Sequence, residues 1–187
     1  MRAGTHLRDV AVQPKGFASG QGASYGEFPG LDPLAVTNDR GEFEVAYTEP
    51  VSKMLLLVEA RSMAPKLVAM STGTQRQTVA LSEGAVIRGR LVADGKPVAG
   101  AEMGLIAAER GGIGPDLKII GSPYDEIKVG TQEDGSFAIT NAPPGATWYL
   151  YGKMESLGSR GATMPVTCAT TRDKEFVDVG DIQVKPG

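Results

Sequence analysis

The chain has one histidine, one cysteine and one tryptophan in 187 residues. Each scarcity excludes something. With His6 alone, the usual general base and metal ligand is missing, and there is neither a His-Glu-x-x-His run nor a cysteine pair for zinc. His6 therefore reads as a solvated turn residue. Cys168 cannot form an internal disulfide, and because Met164, Val166 and Cys168 alternate as one buried strand face does, the thiol reads as core packing. Charge of one sign is also lacking. The formal balance is -3 with both signs interspersed, which leaves no basic stripe to follow a phosphate backbone and argues against nucleic acid as a partner. No apolar run approaches the roughly 20 residues that span a bilayer, so this segment is not expected to insert in a membrane. Residues 1–20 lack the order of a secretory signal. The Gly111-Gly112-Ile113-Gly114 run has no Lys-Ser/Thr after it and precedes no helical pattern, and no Gly-x-Ser-x-Gly elbow occurs. The expectation is a non-enzyme with no catalytic residue, no metal and no cofactor.

What is abundant is punctuation. Gly 25 and Pro 12, with 41% apolar residues, suit an all-β chain of short strands, since both residues interrupt helices and build turns. The segment Thr37-Asn38-Asp39-Arg40-Gly41-Glu42-Phe43 has the same pattern, Thr-x-x-x-Gly-x-Phe, as Thr131-Gln132-Glu133-Asp134-Gly135-Ser136-Phe137. Polar residues and a Gly between apolar runs write a tight turn between antiparallel strands, with the Gly at a positive φ. The chain is thus one β unit used twice, and the predicted domains are residues 1–83 and 84–187.

The second repeat is the complete one. Residues 84–92 open it, Ala93-Asp94-Gly95-Lys96 is a hairpin turn, and 97–108 hold a strand with Ala101, Met103 and Leu105 inward. A long loop is predicted over 109–126. Residues 127–131 enter the repeated turn and 137–139 leave it; 147–151, 162–170 and 176–184 are the later strands. Seven short strands separated by turns make a β-sandwich. In the first repeat, Val10-Ala11-Val12 lies on Ala101-Glu102-Met103 at an offset of 91, and Thr37 lies on Thr131 at an offset of 94. Residues 13–33 then form the long loop, 43–45 and 54–58 are strands, and 66–70 and 78–81 close the unit. The offset of 91 puts Ala3-Gly4 on the Asp94-Gly95 turn, so the first repeat is expected to lack its opening strand, through truncation or because another chain supplies it.

The runs Ile87-Arg88-Gly89-Arg90-Leu91-Val92, Gly95-Lys96-Pro97-Val98-Ala99-Gly100-Ala101, Thr131 to Phe137 and Ala142-Pro143-Pro144-Gly145 together resemble the carboxypeptidase regulatory-like domain. The resemblance covers the second repeat and implies a transthyretin-like, Ig-like Greek-key sandwich of seven strands. It further implies a non-catalytic appendage of an extracytoplasmic bacterial envelope or secreted protein, a spacer, folding support or docking module whose partners are neighbouring domains.

The candidate binding residues are aromatic. Along Trp148-Tyr149-Leu150-Tyr151, alternation puts Trp148 and Leu150 on one face and Tyr149 and Tyr151 on the other. One pair faces the core and the other, with Tyr124, offers a platform on which a carbohydrate could stack. Phe17, Tyr25, Phe28 and Tyr124, on the loops, are the alternative contact surface. The acidic turns at Asn38-Asp39 with Glu42 and at Glu133-Asp134 read as turn chemistry before calcium ligation, since neither has a full spaced ligand loop.

Overall fold

The computed structural model describes residues 4–19, 22–26, 30–48, 50–108 and 127–186. The predicted loop over 109–126 lies outside these residues, as do Phe28 and Tyr124. Among the described residues the chain is all-β apart from one short helix and one 3-10 turn, and its contacts form two compact units, the described residues up to Ser82 in one and those from Glu83 in the other.

The second unit is a two-layer sandwich. One sheet has the order β10-β6-β14-β12, from Ser136–Ala142, Ala85–Ala93, Phe176–Lys185 and Ala162–Thr163, with the short β7 (Lys96–Pro97) beside β6. The facing sheet runs β13-β11-β8-β9, from Val166–Thr170, Ala146–Gly152, Glu102–Ala107 and Lys128–Gly130. Alternation builds the core between them. Ile87 and Leu91 of β6, Phe137 and Ile139 of β10, and Ile182 of β14 meet Met103, Leu105, Trp148, Leu150 and Cys168 from the other sheet. β6 is the centre of its sheet, antiparallel to β10 and parallel to β14.

Two readings of this unit are corrected. Residues 162–170 are two strands in different sheets, because Pro165 has no N–H for a ladder and the chain changes partner there, β12 joining β14 and β13 joining β11. Met164 consequently points to solvent, 64% exposed, and does not share the buried face of Cys168. Between β11 and β12 lies a helix, α1 (Met154–Leu157), and one 3-10 turn. Leu157 is buried there, the Ser156 hydroxyl accepts the Glu102 N–H (2.8 Å), and the Arg160 guanidinium donates to the Ala99 and Ser156 carbonyls.

Among the described residues the first unit has one sheet, in the order β2-β1-β4-β5 from Gly22–Tyr25, Ala11–Ser19, Lys53–Glu59 and Lys66–Ser71, with β3 (Ala35–Val36) also on β1. The loop predicted from residue 13 is instead the rest of β1 and its hairpin partner β2. Pro14 is tolerated because the register of β1 on β4 shifts between Pro14 and Gly16, the kind of irregularity where a strand accepts proline. All five central residues of β4, from Met54 to Val58, are buried, so both faces of this strand are covered, as its unbroken apolar run requires.

The two Thr-x-x-x-Gly-x-Phe turns are bonded alike. Thr131 Oγ1 accepts the Ala101 N–H (2.9 Å) and donates to the Val98 carbonyl (2.7 Å), while Thr37 Oγ1 accepts the Val10 N–H (3.0 Å) and donates to the Leu7 carbonyl (2.7 Å). The Gly135 N–H bonds the Gln132 carbonyl as the Gly41 N–H bonds that of Asn38, and the two glycines have φ of 75° and 71°. Val12 sits opposite Val58 as Met103 sits opposite Gly152. Each buried threonine thus joins the turn to the strand before it. Replacing Thr131 by Val keeps the shape but strands a buried N–H and a buried C=O, and is expected to cost about 2 kcal/mol. Thr131→Ser, which keeps the hydroxyl, should cost less than half of that. Urea unfolding followed by Trp148 fluorescence measures both, and equal losses would remove the hydrogen-bond explanation.

The units differ on the other side of the turn. Residues 43–45 and 78–81, predicted strands, have strand alternation without a ladder. Their neighbour in the second unit is β6, and the first unit has no described counterpart of it. Phe43 and Val45 remain half-buried, whereas Phe137 and Ile139 at the matching positions are 3% and 2% exposed.

Candidate functional site

The aromatic strand β11 divides as its alternation predicts, and this decides which residues can meet a ligand. Trp148 and Leu150 have no exposed surface. The Trp148 Nε1–H donates to Thr170 Oγ1 (2.9 Å), whose own proton goes to the Pro143 carbonyl (2.7 Å), so the indole is bound in the core. Trp148 is therefore corrected from a platform residue to a packing residue, because a ring with both faces inside the sandwich has none to offer.

The opposite face belongs to Tyr149 and Tyr151. Tyr149 is 42% exposed and pairs across the ladder with Ile106, itself 40% exposed, on one side and with Thr167 on the other. Tyr151 is half-buried and lies over Gly104, where an added Cβ would meet its ring and hydroxyl at 2.9 Å. Gly104 is thus the seat of an aromatic ring, and the glycine and tyrosine complete one another. Lys153 stands at the end of this strand, ion-paired to Glu102 (3.4 Å) and Glu155 (3.3 Å); its bonds to Glu155 and then Glu102 hold its ammonium above the usual lysine range. The result is a small apolar patch of Tyr149, Tyr151 and Ile106 with a neutralised ionic border. Ile106 went unnoticed in the sequence because its outward position follows from the register of β8 on β11, which no local pattern states. Of the alternative loop aromatics, Phe17 lies half-buried in β1, and Tyr25 lies in β2 with its ring 2.9 Å from where a Gly16 side chain would begin.

A second, shallow surface lies over β6 and β14. Arg88 pairs with Asp178 (3.1 Å) and Arg90 with Asp181 (2.9 Å), each across the parallel ladder. The hydrogen bond from Arg90 holds the Asp181 carboxyl below its ordinary range. The charges cancel in pairs and leave no surplus for an anion or a cation.

The polar groups of the repeated turns bond within the turns or pair with neighbouring arginines. The Asp134 carboxylate accepts from the Ser136 hydroxyl (2.6 Å) and the Ser136 N–H (2.9 Å), and those bonds lower its pKa. Asn38 Oδ1 accepts the Arg40 and Glu42 N–H groups, while Glu42 pairs with Arg40 (3.1 Å) and Arg76 (3.0 Å). Among the described residues no group of three or more His, Cys, Asp or Glu side chains is arranged to hold a metal ion. His6 is exposed. Cys168 is 8% exposed opposite Trp148, and burial pushes its thiol pKa up, away from the reactive thiolate. No described helix is long and apolar enough to cross a membrane.

No protein-family profile matches the chain, and no curated protein sequence does. Among solved structures it is similar to the shaft pilin SpaA of Lactobacillus rhamnosus GG, at 11% identity and a TM-score of 0.37, over 97% of this chain and 88% of that one. A streptococcal ancillary pilin aligns with 97% of this chain and 59% of its own at 17% identity and a TM-score of 0.38. The Bacillus anthracis TIE protein aligns at 10% identity and a TM-score of 0.35, and this chain spans 31% of its length. Alignments at that identity and score assign no role to any residue here.

Proposed function

We propose that the chain is a non-catalytic tandem β-sandwich module, of the carboxypeptidase regulatory-like kind, that spaces or docks neighbouring domains of a bacterial envelope or secreted protein. The observation that carries this reading is the use made of the repeated motif. In both units its threonine hydroxyl and its glycine N–H are engaged in closing the turn. The residues the chain repeats are those that hold the sandwich, which is the economy of a structural part. A second reading, carbohydrate binding, is favoured by the exposed Tyr149 and Ile106 beside Tyr151.

A glycan array probed with the whole chain and with Tyr149→Ala separates the two. The structural reading expects no saturable binding by either protein. Saturable binding by the unaltered chain that is lost in a Tyr149→Ala variant of unchanged unfolding temperature would replace it with the second.

A further inference from the structure

In the second unit the first described strand lies beside the last. β6 (Ala85–Ala93) and β14 (Phe176–Lys185) run parallel as direct neighbours, paired from Val86 with Phe176 to Val92 with Gln183. Their direction decides how the pair meets tension. A pull on the chain ahead of β6 draws that strand toward its N-terminal end, while a pull beyond β14 draws its neighbour toward the C-terminal end. The two are then loaded in shear. The evenly spaced bonds of a parallel ladder share such a load and have to break together, whereas two strands pulled apart from one end part bond by bond.

Side chains fasten this ladder on both faces. Outside, Arg88 bonds Asp178 (3.1 Å), and Arg90 grips both carboxylate oxygens of Asp181 (3.1 and 2.9 Å). Inside, β14 bulges between Asp178 and Asp181, with Gly180 at a φ of 67°, and the bulge sits over Gly89. A Cβ on Gly89 would meet Val179 Cγ2 at 2.7 Å and the Gly180 carbonyl at 2.8 Å. The bulge is therefore a stop against sliding. A shift of two residues, the least that keeps inward side chains inward, would drive Val179 onto Ile87 or Leu91, both buried in the core. Both ends are tied as well. Where the chain enters, the Gly84 N–H goes to the Asp173 carboxylate (2.7 Å), the Lys174 N–H to the Gly84 carbonyl (2.9 Å) and the Val86 N–H to the Glu175 carbonyl (2.7 Å), and the Lys174 ammonium pairs with Glu83 (2.7 Å). At the far end, Val184 and Lys185 pair with Thr163 and Ala162 of β12.

We propose that the second unit bears tension along the chain, with the β6–β14 ladder as the element that resists it. This deepens the spacing part of the structural reading and rests on it. Between Gly84 and Lys185 the shortest bonded path crosses that one ladder, because the two strands are direct neighbours. The resistance is a barrier to unfolding, a matter of rate, and is separate from the equilibrium stability of the fold. It also gives the outer ion pairs a use. Each side chain in them is half exposed, so in the resting fold they stabilise little, but they span the two strands that tension would slide.

Single-molecule pulling of the intact chain tests this, with one handle on the amino terminus and the other on a thiol at one of two places. Gly187→Cys loads the ladder in shear. Arg172→Cys puts the handle on an exposed residue of the turn before β14, beside Gly84, so the same ladder is opened from its Val86 end. Cys168 is buried and takes no handle. The unfolding step of the second unit, identified by the length of chain it releases, is expected at a force about two to three times higher with the first handle than with the second, since forced unfolding reads the barrier. Equal forces with the two handles, or a lower force with the handle at 187, would overturn the proposal. So would a second unit that yields to the handle at 187 without a resolved step. Saturable glycan binding would replace the structural reading and leave the ratio of forces as it is, so the two failures are distinguishable.

Discussion

Gly135→Ala should unfold the second unit at much lower urea than the unaltered chain, with a loss of about 4 kcal/mol. Two costs combine. A left-handed residue with a side chain gives up about 1–2 kcal/mol, and Gly135 has φ of 75°. The new methyl would also sit 2.5 Å from the Leu91 carbonyl and 3.1 Å from Pro97 Cβ, so the central strand of the sheet has to move. Backbone cannot swing aside as a side-chain end can, and β6 is held by ladders along both edges. Gly41→Ala is the internal control. Its φ is 71°, but the nearest atoms are at 3.1 Å and none belongs to a central strand, so only the conformational cost of about 1–2 kcal/mol is expected. Trp148, the single tryptophan, reports the second unit by fluorescence, and amide exchange at residues 54–58 reports the first. Equal losses in the two variants would mean that the approach to the Leu91 carbonyl adds nothing to the cost at Gly135.

Trp148→Ala should cost the second unit about 3–5 kcal/mol, the range for removing a fully buried large aromatic. The indole has no exposed surface and lies among Met103, Leu105, Ile87 and Cys168 in one continuous core, so its loss leaves a cavity that sheet-on-sheet packing closes only in part. It also takes away the donor to Thr170 Oγ1. Trp148→Phe restores most of the volume and none of the hydrogen bond, and should fall between the two proteins, near a loss of about 2 kcal/mol. Far-ultraviolet circular dichroism in urea is the suitable readout, since the fluorescent probe is removed. A Trp148→Ala protein with unaltered stability would be incompatible with a core indole. Tyr149→Ala makes the complementary comparison, because an outward tyrosine with 42% of its surface exposed should change stability by about 1 kcal/mol or less.

These expectations separate what is local in the chain from what is not. The repeated turns were legible because everything they need lies within seven residues: a threonine hydroxyl, an Asn or Asp side chain to hold the bend, and a glycine for the positive φ. The inward set Ala101, Met103 and Leu105 was legible for the same reason, since alternation on a strand is a property of the strand alone. Met164 was misread because Pro165 does more than interrupt a strand: it sends the two halves to different sheets, and which sheet each joins is settled by β14 and β11. Residues 13–25 were misread because proline and glycine punctuate loops and bulged strands alike, and only the pairing of β1 with β4 and β2 tells the two apart.

The aromatic surface divides in the same way. That Trp148 and Tyr149 face opposite sides is written in their adjacency. Which side is buried depends on the facing sheet, whose residues, Ile87 and Ile182 among them, are distant in the chain, and that Ile106 stands beside Tyr149 depends on the register of β8 on β11. Phe43 and Val45 mark the limit most clearly. Their alternation is that of Phe137 and Ile139, yet they form no ladder, because a strand exists only where another strand accepts its bonds. Side-chain spacing and turn chemistry, which act over a few residues, came from the sequence by itself. Sheet membership and burial came only from the tertiary structure, because hydrogen-bonded edges and packed faces are completed by residues distant in the chain.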